Sequence, residues 1–349
     1  MTKISEKMIC LVVLVSVLLV LSPALGGAKT LPKSWPKAAT IGSAAVGSSI
    51  FAIATGMATL ITRNVGVKAV AESGMMGKSL VLIHKGDIEF GMSAADIAYF
   101  SARGLEQYKQ YGKMKVQLLF SGSTPPSAFI TRAESGMKKI EDLKGKIVMV
   151  SRPNNWTFTR CGDIILRSAG MTRKDVKDMT FSGSKESREA ILERRVDAVI
   201  AVFPSVGVSG WIKELNMRVP LRFISGEEKK LEAALSEVTF AKKATFYAKY
   251  WGSIVDNKDL VSVGVPHHFL CRPDLPTDFV CEAMKAIFEN LKELHTYHPE
   301  AKPYTSDPLA LTVLPYHPGA VKFYKEKGLW TPQIEEKQQK LLKEVGSGR

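Results

Sequence analysis

From residue 39 onward, short apolar runs alternate with segments of helical periodicity, and that alternation predicts an α/β protein with largely parallel sheets. The 349 residues, 45% hydrophobic and 23% charged, suffice for two cores and exclude a disordered, collagenous or polytopic membrane protein. No internal repeat or low-complexity tract interrupts the pattern.

The elements follow in order. Residues 39–41 form a first strand, and the Gly- and Ser-rich turn 42–49 leads into a helix whose Ile50, Ile53, Ala54, Met57, Ala58 and Ile61 recur at core-facing spacing. A strand at 67–71, a helix around 80–83, a strand at 88–92, a helix over 94–103 and a strand at 116–120 complete one α/β lobe. After the turn 121–126 the chain is extended again over 128–132. A second lobe opens near 142–145 with a strand at 147–150, a polar loop at 151–159 and a helix ending at Ala169-Gly170. A strand near 179–181, a helix over 186–193, a strand at 198–202, a helix over 204–215 and a strand at 222–224 come next. Strands at 261–265 and 269–271 precede one long helix, capped by Thr277 and running through Leu294.

The N-terminus has a different character. Lys3 and Lys7, an apolar run from Met8 to Leu21 and the small residues before Ala28 spell an export signal over 1–28, cleaved near Ala28, with an uncleaved anchor as the alternative. The run is short for a membrane span. Export places the mature chain in the periplasm and argues against nucleic acid as the partner of its +14 net charge. Lys and Arg are also scattered instead of interleaved with aromatics, so an anionic small molecule or simple solubility explains the charge. Cys161, Cys271 and Cys281 remain after cleavage, allowing at most one bridge, for which Cys271 and Cys281 are candidates. His267, His268 and Cys271, like His295 and His298, lack four ligands at zinc spacing, so neither metal nor cofactor is expected.

Ligands of open α/β sheets dock beyond the carboxyl ends of strands, where loops and helix N-termini present N–H groups. The loops so placed are 42–49, 93–96, 121–127, 152–160 and 203–207. They nominate Ser43, Gly47, Ser48, Ser49, Phe51, Asp96, Thr124, Arg152, Asn154, Asn155, Trp156, Thr157 and Phe203 as ligand-binding residues, with Arg152 or Arg160 as counter-ion to a carboxylate. No G-x-S-x-G elbow, Walker loop or H-E-x-x-H motif is present, and Asp96, Asp163 and Asp197 have no neighbour that marks a base. Binding without catalysis is the expectation.

Several segments together resemble the TAXI family, the solute-binding proteins of one class of tripartite ATP-independent periplasmic (TRAP) transporters. Tyr316-His317-Pro318-Gly319-Ala320 with Tyr324, Glu326 and Gly328 is similar to the family's His-Pro-Gly-Ala signature. Gly86-Asp87, Ser93-Ala94-Ala95-Asp96 and Gly104 resemble its Gln-Ser-Asp segment, and 140–145, Val196-Asp197-Ala198 with Pro204, and 275–290 also fit, so the likeness spans about residues 38–330. The resemblance implies a type II periplasmic-binding fold, two α/β lobes joined by a hinge with the ligand in the cleft between them. Residues 36–129 plus 260–330 would build lobe 1, 130–259 lobe 2, and 331–349 a charged, exposed C-terminal helix. The implied role is a monomer that captures a small organic anion and hands it to an ion-gradient-driven TRAP permease, whether its membrane subunits are fused or separate. A sensor passing occupancy to a membrane receptor is the alternative, and an exported enzyme a more distant one.

Departures from the family pattern cluster at the ligand loops. Ile50-Phe51 stands where the family has Tyr-Tyr, 76–79 where it has Ser-x-x-Asn, Ala94-Ala95 where it has Gln-Ser, and Asn154-Asn155-Trp156-Thr157 where it has Gly-Ser-Gly-Thr. Two amides and an indole change both volume and donor pattern. The expected cargo is therefore a carboxylate other than glutamate, stacked on Trp156.

Overall fold

Two sheets joined by two short crossings organise the chain. The computed structural model describes residues 31–152, 155–180, 184–304 and 313–346, and the elements below all belong to one unit, Ser34–Arg349. The export segment lies outside the described residues.

The first sheet contains β1 (Ala38–Gly42), β2 (Lys68–Glu72), β3 (Phe90–Ala94), β4 (Gln117–Ser121) and β12 (His267–Cys271), in the order β2-β1-β3-β12-β4. It is packed by α1 (Ser49–Val65), α2 (Ser79–Lys85) and α3 (Ala95–Arg103), and by the closing helices α9 (Thr277–Phe288), α10 (Leu291–Tyr297), α11 (Pro318–Glu326) and α12 (Pro332–Val345). The second sheet contains β5 (Pro126–Arg132), β6 (Ile147–Met149), β7 (Lys177–Asp178), β8 (Ala198–Val202), β9 (Leu221–Ile224), β10 (Lys242–Phe246) and β11 (Leu260–Gly264). Its order is β10-β11-β5-β8-β6-β7, with β9 also paired to β5. With it go α4 (Trp156–Ser168), α5 (Ser184–Leu192), α6 (Gly210–Arg218), α7 (Glu228–Ser236) and α8 (Ala248–Trp251).

The passages from β4 to β5 and from β11 to β12 join the sheets, and they lie side by side. Gly122 N donates to His267 O at 2.7 Å and His267 N to Ser123 O at 2.9 Å. A Cβ at Gly264 would stand 2.7 Å from Thr124 Cγ2 and 2.6 Å from Ala244 Cβ, so only glycine lets these backbones approach so closely. This paired crossing is the hinge. β5 and β11 both pair in the second sheet, so the expected lobe boundaries at 129/130 and 259/260 fall inside β5 and just ahead of β11. The expectation of largely parallel sheets holds for β1–β2, β1–β3, β6–β7 and β6–β8 but fails at the strands next to the crossings, where β12 runs antiparallel to β3 and β4, and β5 to β8, β9 and β11. The physical reason is the hinge: a chain that leaves one lobe and returns to it must traverse the second sheet in opposite directions.

Local chemistry explains most boundaries. Ser48 caps α1 by accepting from Phe51 N at 3.2 Å, and Gly66 ends it at φ 89°. The six residues of the predicted α1 stripe are buried. In the His-Pro-Gly-Ala segment His317 is the N-cap of α11: its ring accepts from Gly319 N at 3.0 Å, with Pro318 at the first helical position. The expected helix over 277–294 is two helices that break at Glu289-Asn290, and Thr277 opens α9 instead of capping it. The helix expected from Pro204 starts at Gly210, because Gly207 at φ 80° keeps the preceding loop out of helical geometry. α4 begins at Trp156, inside the segment expected to be loop. α12 is not exposed all round: Ile334, Gln338 and Leu341 are buried, and Gln338 exchanges two hydrogen bonds with the Tyr316 backbone. Cys271 and Cys281 are free and buried, so the candidate bridge between them does not form.

Candidate functional site

A cavity of about 700 Å³ lies between the two sheets' loops. One wall is the start of α1 (Gly47, Ser48, Ser49 and Ile50) with Met76, Ala94, Ile97 and the turn His298-Pro299-Glu300. The facing wall is the start of α4 (Asn155, Thr157, Phe158), then Val202-Phe203-Pro204 and Val206 to Trp211 leading into α6. Pro125 and His267 come from the hinge.

Three helices thus begin on this cavity, and the first amides of a helix have no intrahelical acceptor. Neither Asn155 before α4 nor Ser209 before α6 caps its helix with its side chain. Each N-terminus carries roughly half a positive charge. No Lys or Arg is among the described residues that line the cavity, so the donors those residues offer an anion are backbone N–H and hydroxyl groups. The acid on the wall, Glu300, is already engaged: it accepts from Ser205 Oγ at 3.0 Å and from Val206 N at 2.6 Å, bonds that cross from one lobe to the other. Burial raises the Glu300 carboxyl above its ordinary range, against the lowering effect of those donors. The opposite side of the cavity holds the apolar body of Phe203, which packs 4.4 Å from Phe223 and 5.3 Å from Trp251 by ring centroids and so joins the site to the second core.

Beside the cavity, α3 and α4 are clasped. Asp96 is fully buried and accepts from Thr157 Oγ1 at 2.8 Å and from Arg160 Nη1 at 2.6 Å. Arg160 Nη2 reaches Glu106 at 2.5 Å, and its guanidinium lies 3.8 Å above the Phe100 ring. Asp96, Glu106 and Phe100 belong to the first lobe and Thr157 and Arg160 to the second, so this ion pair fastens the lobes together.

The predicted residues divide accordingly. Gly47, Ser48, Ser49, Asn155, Thr157 and Phe203 line the cavity. Asp96 does not: its oxygens face the clasp, where Arg160 is paired with it, and neither residue lines the cavity. Ser43 lies beneath the wall, its backbone bonded to Glu72 O and Met75 N. Thr124 belongs to the hinge, and Phe51 is half-buried on α1 away from the cavity. Trp156 is 42% exposed and outside the lining, so the expected stacking surface is absent there; Trp211 supplies an indole on the wall instead. Arg152 lines a smaller neighbouring chamber. Asn154 lies outside the described residues. The sequence reading, whose last loop ended at Gly207, missed Val208 to Trp211, His267 and His298 to Glu300. A Gly-Val-Ser-Gly stretch at 207–210 was the available signal for the first group; the others enter only through the hinge and the turn after α10.

A family model described as the NMT1-like family matches residues 41–328, and the chain belongs to that family. Among solved structures, the periplasmic sulfonate-binding protein SsuA from Methylobacillus flagellatus KT is similar, with 16% identity and a TM-score of 0.50 over 90% of this chain and 97% of that one. SsuA from Xanthomonas axonopodis pv. citri bound to MOPS shares 14% identity at a TM-score of 0.43, covering 90% of this chain and 94% of that one. An ancestral arginine-binding protein bound to arginine shares 16% identity at a TM-score of 0.45, covering 76% of this chain and 96% of that one. All three are described as binding proteins. The fold is the two-lobed type II periplasmic-binding fold that the family resemblance implies.

Proposed function

We propose that this chain is an extracytoplasmic solute-binding protein that closes its two lobes on a small organic anion and delivers it to an ion-gradient-driven permease of the TRAP type. The carrying observation is the meeting of three helix N-termini, from both lobes, on a cavity that has no lysine or arginine among its described lining residues. Such a site holds an oxyanion by backbone N–H and hydroxyl donors while Phe203 and Trp211 cover its apolar part. Capture requires no bond to be made or broken. The interlobe bonds of Asp96 and Glu300 form only when the lobes meet, which gives the closed form a distinct surface for a permease to read. Delivery by a TRAP system rests on the TAXI-like segments at 86–104 and 316–328, and the periplasmic location on the export signal. The unit of delivery is the monomer, and a carboxylate other than glutamate is the proposed cargo.

Thermal shift of the mature chain against amino acids, dicarboxylates, keto acids, aromatic acids and sulfonates tests the binding reading. An acid at 100 times its dissociation constant adds about 2.7 kcal/mol, which moves the midpoint by several degrees. Silence across every anion class would sink it. Reconstituted uptake driven by a sodium or proton gradient supports the TRAP reading; uptake that demands ATP overturns it.

A further inference from the structure

Next to the cleft is a second chamber of about 120 Å³, which shares Phe158, Val202 and Trp211 with it. Its polar lining is Arg152, Ser187 and Arg188, and no acidic residue is among the described residues around it. Arg152 is 9% exposed. Its Nη2 donates to Ser187 Oγ at 2.9 Å, its guanidinium carbon lies 4.5 Å from the Phe158 ring centroid, and its Nε is buried with no acceptor. A guanidinium has five N–H donors in a planar fork, and this one keeps its buried Nε–H open for an acceptor.

The other two buried arginines show what the fold does when such a charge is structural. Arg160 has Asp96 and Glu106. Arg132 donates to the carbonyls of Ile191 and Val196 at 2.9 and 3.0 Å and has Glu134 at 3.6 Å. Among the described buried arginines, Arg152 alone has a neutral hydroxyl and an aromatic face as its recorded partners. Desolvation lowers it to about 10, which leaves it a cation at neutral pH. Arg188 adds further positive charge, 5.4 Å from the Trp211 ring centroid on the same wall. A buried charge without a counter-charge is costly, and the donors it leaves open are those that would grip a planar carboxylate.

We propose that this chamber is an anion subsite and that the ligand is a dianion, one acidic group held at the helix N-termini of the cleft and the second at Arg152, with an apolar spacer between Phe158 and Trp211. The inference rests on the anion-binding reading of the cleft and narrows it from organic acids to diacids.

The test pairs acids of equal length: succinate with butyrate and glutarate with pentanoate, titrated calorimetrically at fixed ionic strength into the mature chain, Arg152→Met and Arg152→Lys. The wild type should prefer each diacid by about 10- to 100-fold, the scale of a charge-assisted hydrogen-bond pair. Arg152→Met should bring that ratio close to one while monoacid affinity holds within about threefold, and Arg152→Lys should keep part of it. Equal affinities in the wild type, an unchanged ratio in Arg152→Met, or equal loss of both acids in that variant overturns the proposal and leaves the cleft reading intact. Should none of these four acids bind the wild type, the cleft reading is judged by the wider anion panel, and phenylglyoxal modification of Arg152 judges the chamber alone. Protection by inorganic phosphate beyond that given by sodium chloride at equal ionic strength upholds an anion subsite; equal labelling rejects it. That second readout needs no variant, so it stands even if a substitution at Arg152 impairs folding.

Discussion

Two arginines flank the start of α4, and the protein treats them oppositely. Arg160 meets two carboxylates of the other lobe, whereas Arg152, equally buried, faces a small chamber with no carboxylate among the described residues that line it. The first charge is balanced by the protein's own closure; the second is left for something that arrives from outside. A buried cation tells little about function until its counter-charge has been located, because breaking an existing pair costs about 3–5 kcal/mol while an unpaired charge attracts one. The clasp therefore contributes to the preference for the closed form, and the chamber to the choice of ligand.

Acid is the bluntest way to probe that contrast. His268 is fully enclosed on β12, its Nδ1 3.0 Å from Ser121 Oγ, and burial lowers it to about 3 from 6.5; His267, which borders the cavity, is lowered to about 4. The unfolded chain takes up protons below about pH 6.5 while the folded one does not, so this contribution is full above pH 6.5 and fades as pH falls. His268 alone should cost about 3 kcal/mol of unfolding free energy between pH 6.5 and 4, read from denaturant midpoints. Arg152, lowered only to about 10, stays charged throughout, so ligand preference measured on molecules still folded should persist. A midpoint unmoved by acid would contradict the enclosure of His268.

Asp96→Asn aims at the clasp alone. Losing the charge that Arg160 and Thr157 share disfavours closure, and ligand affinity should drop about 10- to 100-fold with diacid and monoacid affected alike. X-ray scattering with saturating ligand should show a larger open fraction than the wild type. An affinity equal to wild type would mean that the clasp does not contribute to closure. The smallest effect separates two indoles: Trp211→Ala should weaken binding by about tenfold and Trp156→Ala by less than twofold, since the first lines the cavity and the second is solvent-exposed. The reverse ranking would restore Trp156 as the stacking surface.

Much of this architecture is legible in the sequence where a single element settles the matter. The α1 stripe shows as helical spacing, and the Ala198–Val202 run is an uninterrupted apolar strand because β8 is covered on both faces. The helix-opening loops of the first lobe are marked by glycine and serine, which explains why Gly47, Ser48 and Ser49 were readable as site residues. Residues 225–259 resisted because α7 and α8 are short and their apolar positions few, while β10 carries Lys242 and Lys243 on a strand at the sheet's edge. Asp96 was recognisable as a carboxylate at a loop, but whether it meets a ligand or a partner side chain depends on Thr157 and Arg160 in the other lobe.

The sequence by itself determined the α/β class, most element types, the helix caps at Ser48 and Gly66, and the candidate loops, since each depends on propensity, periodicity or capping within a few residues. Tertiary structure alone decided which lobe β5 and β11 join, that the two crossings pair as a hinge, and which arginine is neutralised. Those outcomes depend on groups brought together from distant parts of the chain, and the energy of a charge is set by what surrounds it in space, not by its neighbours in sequence.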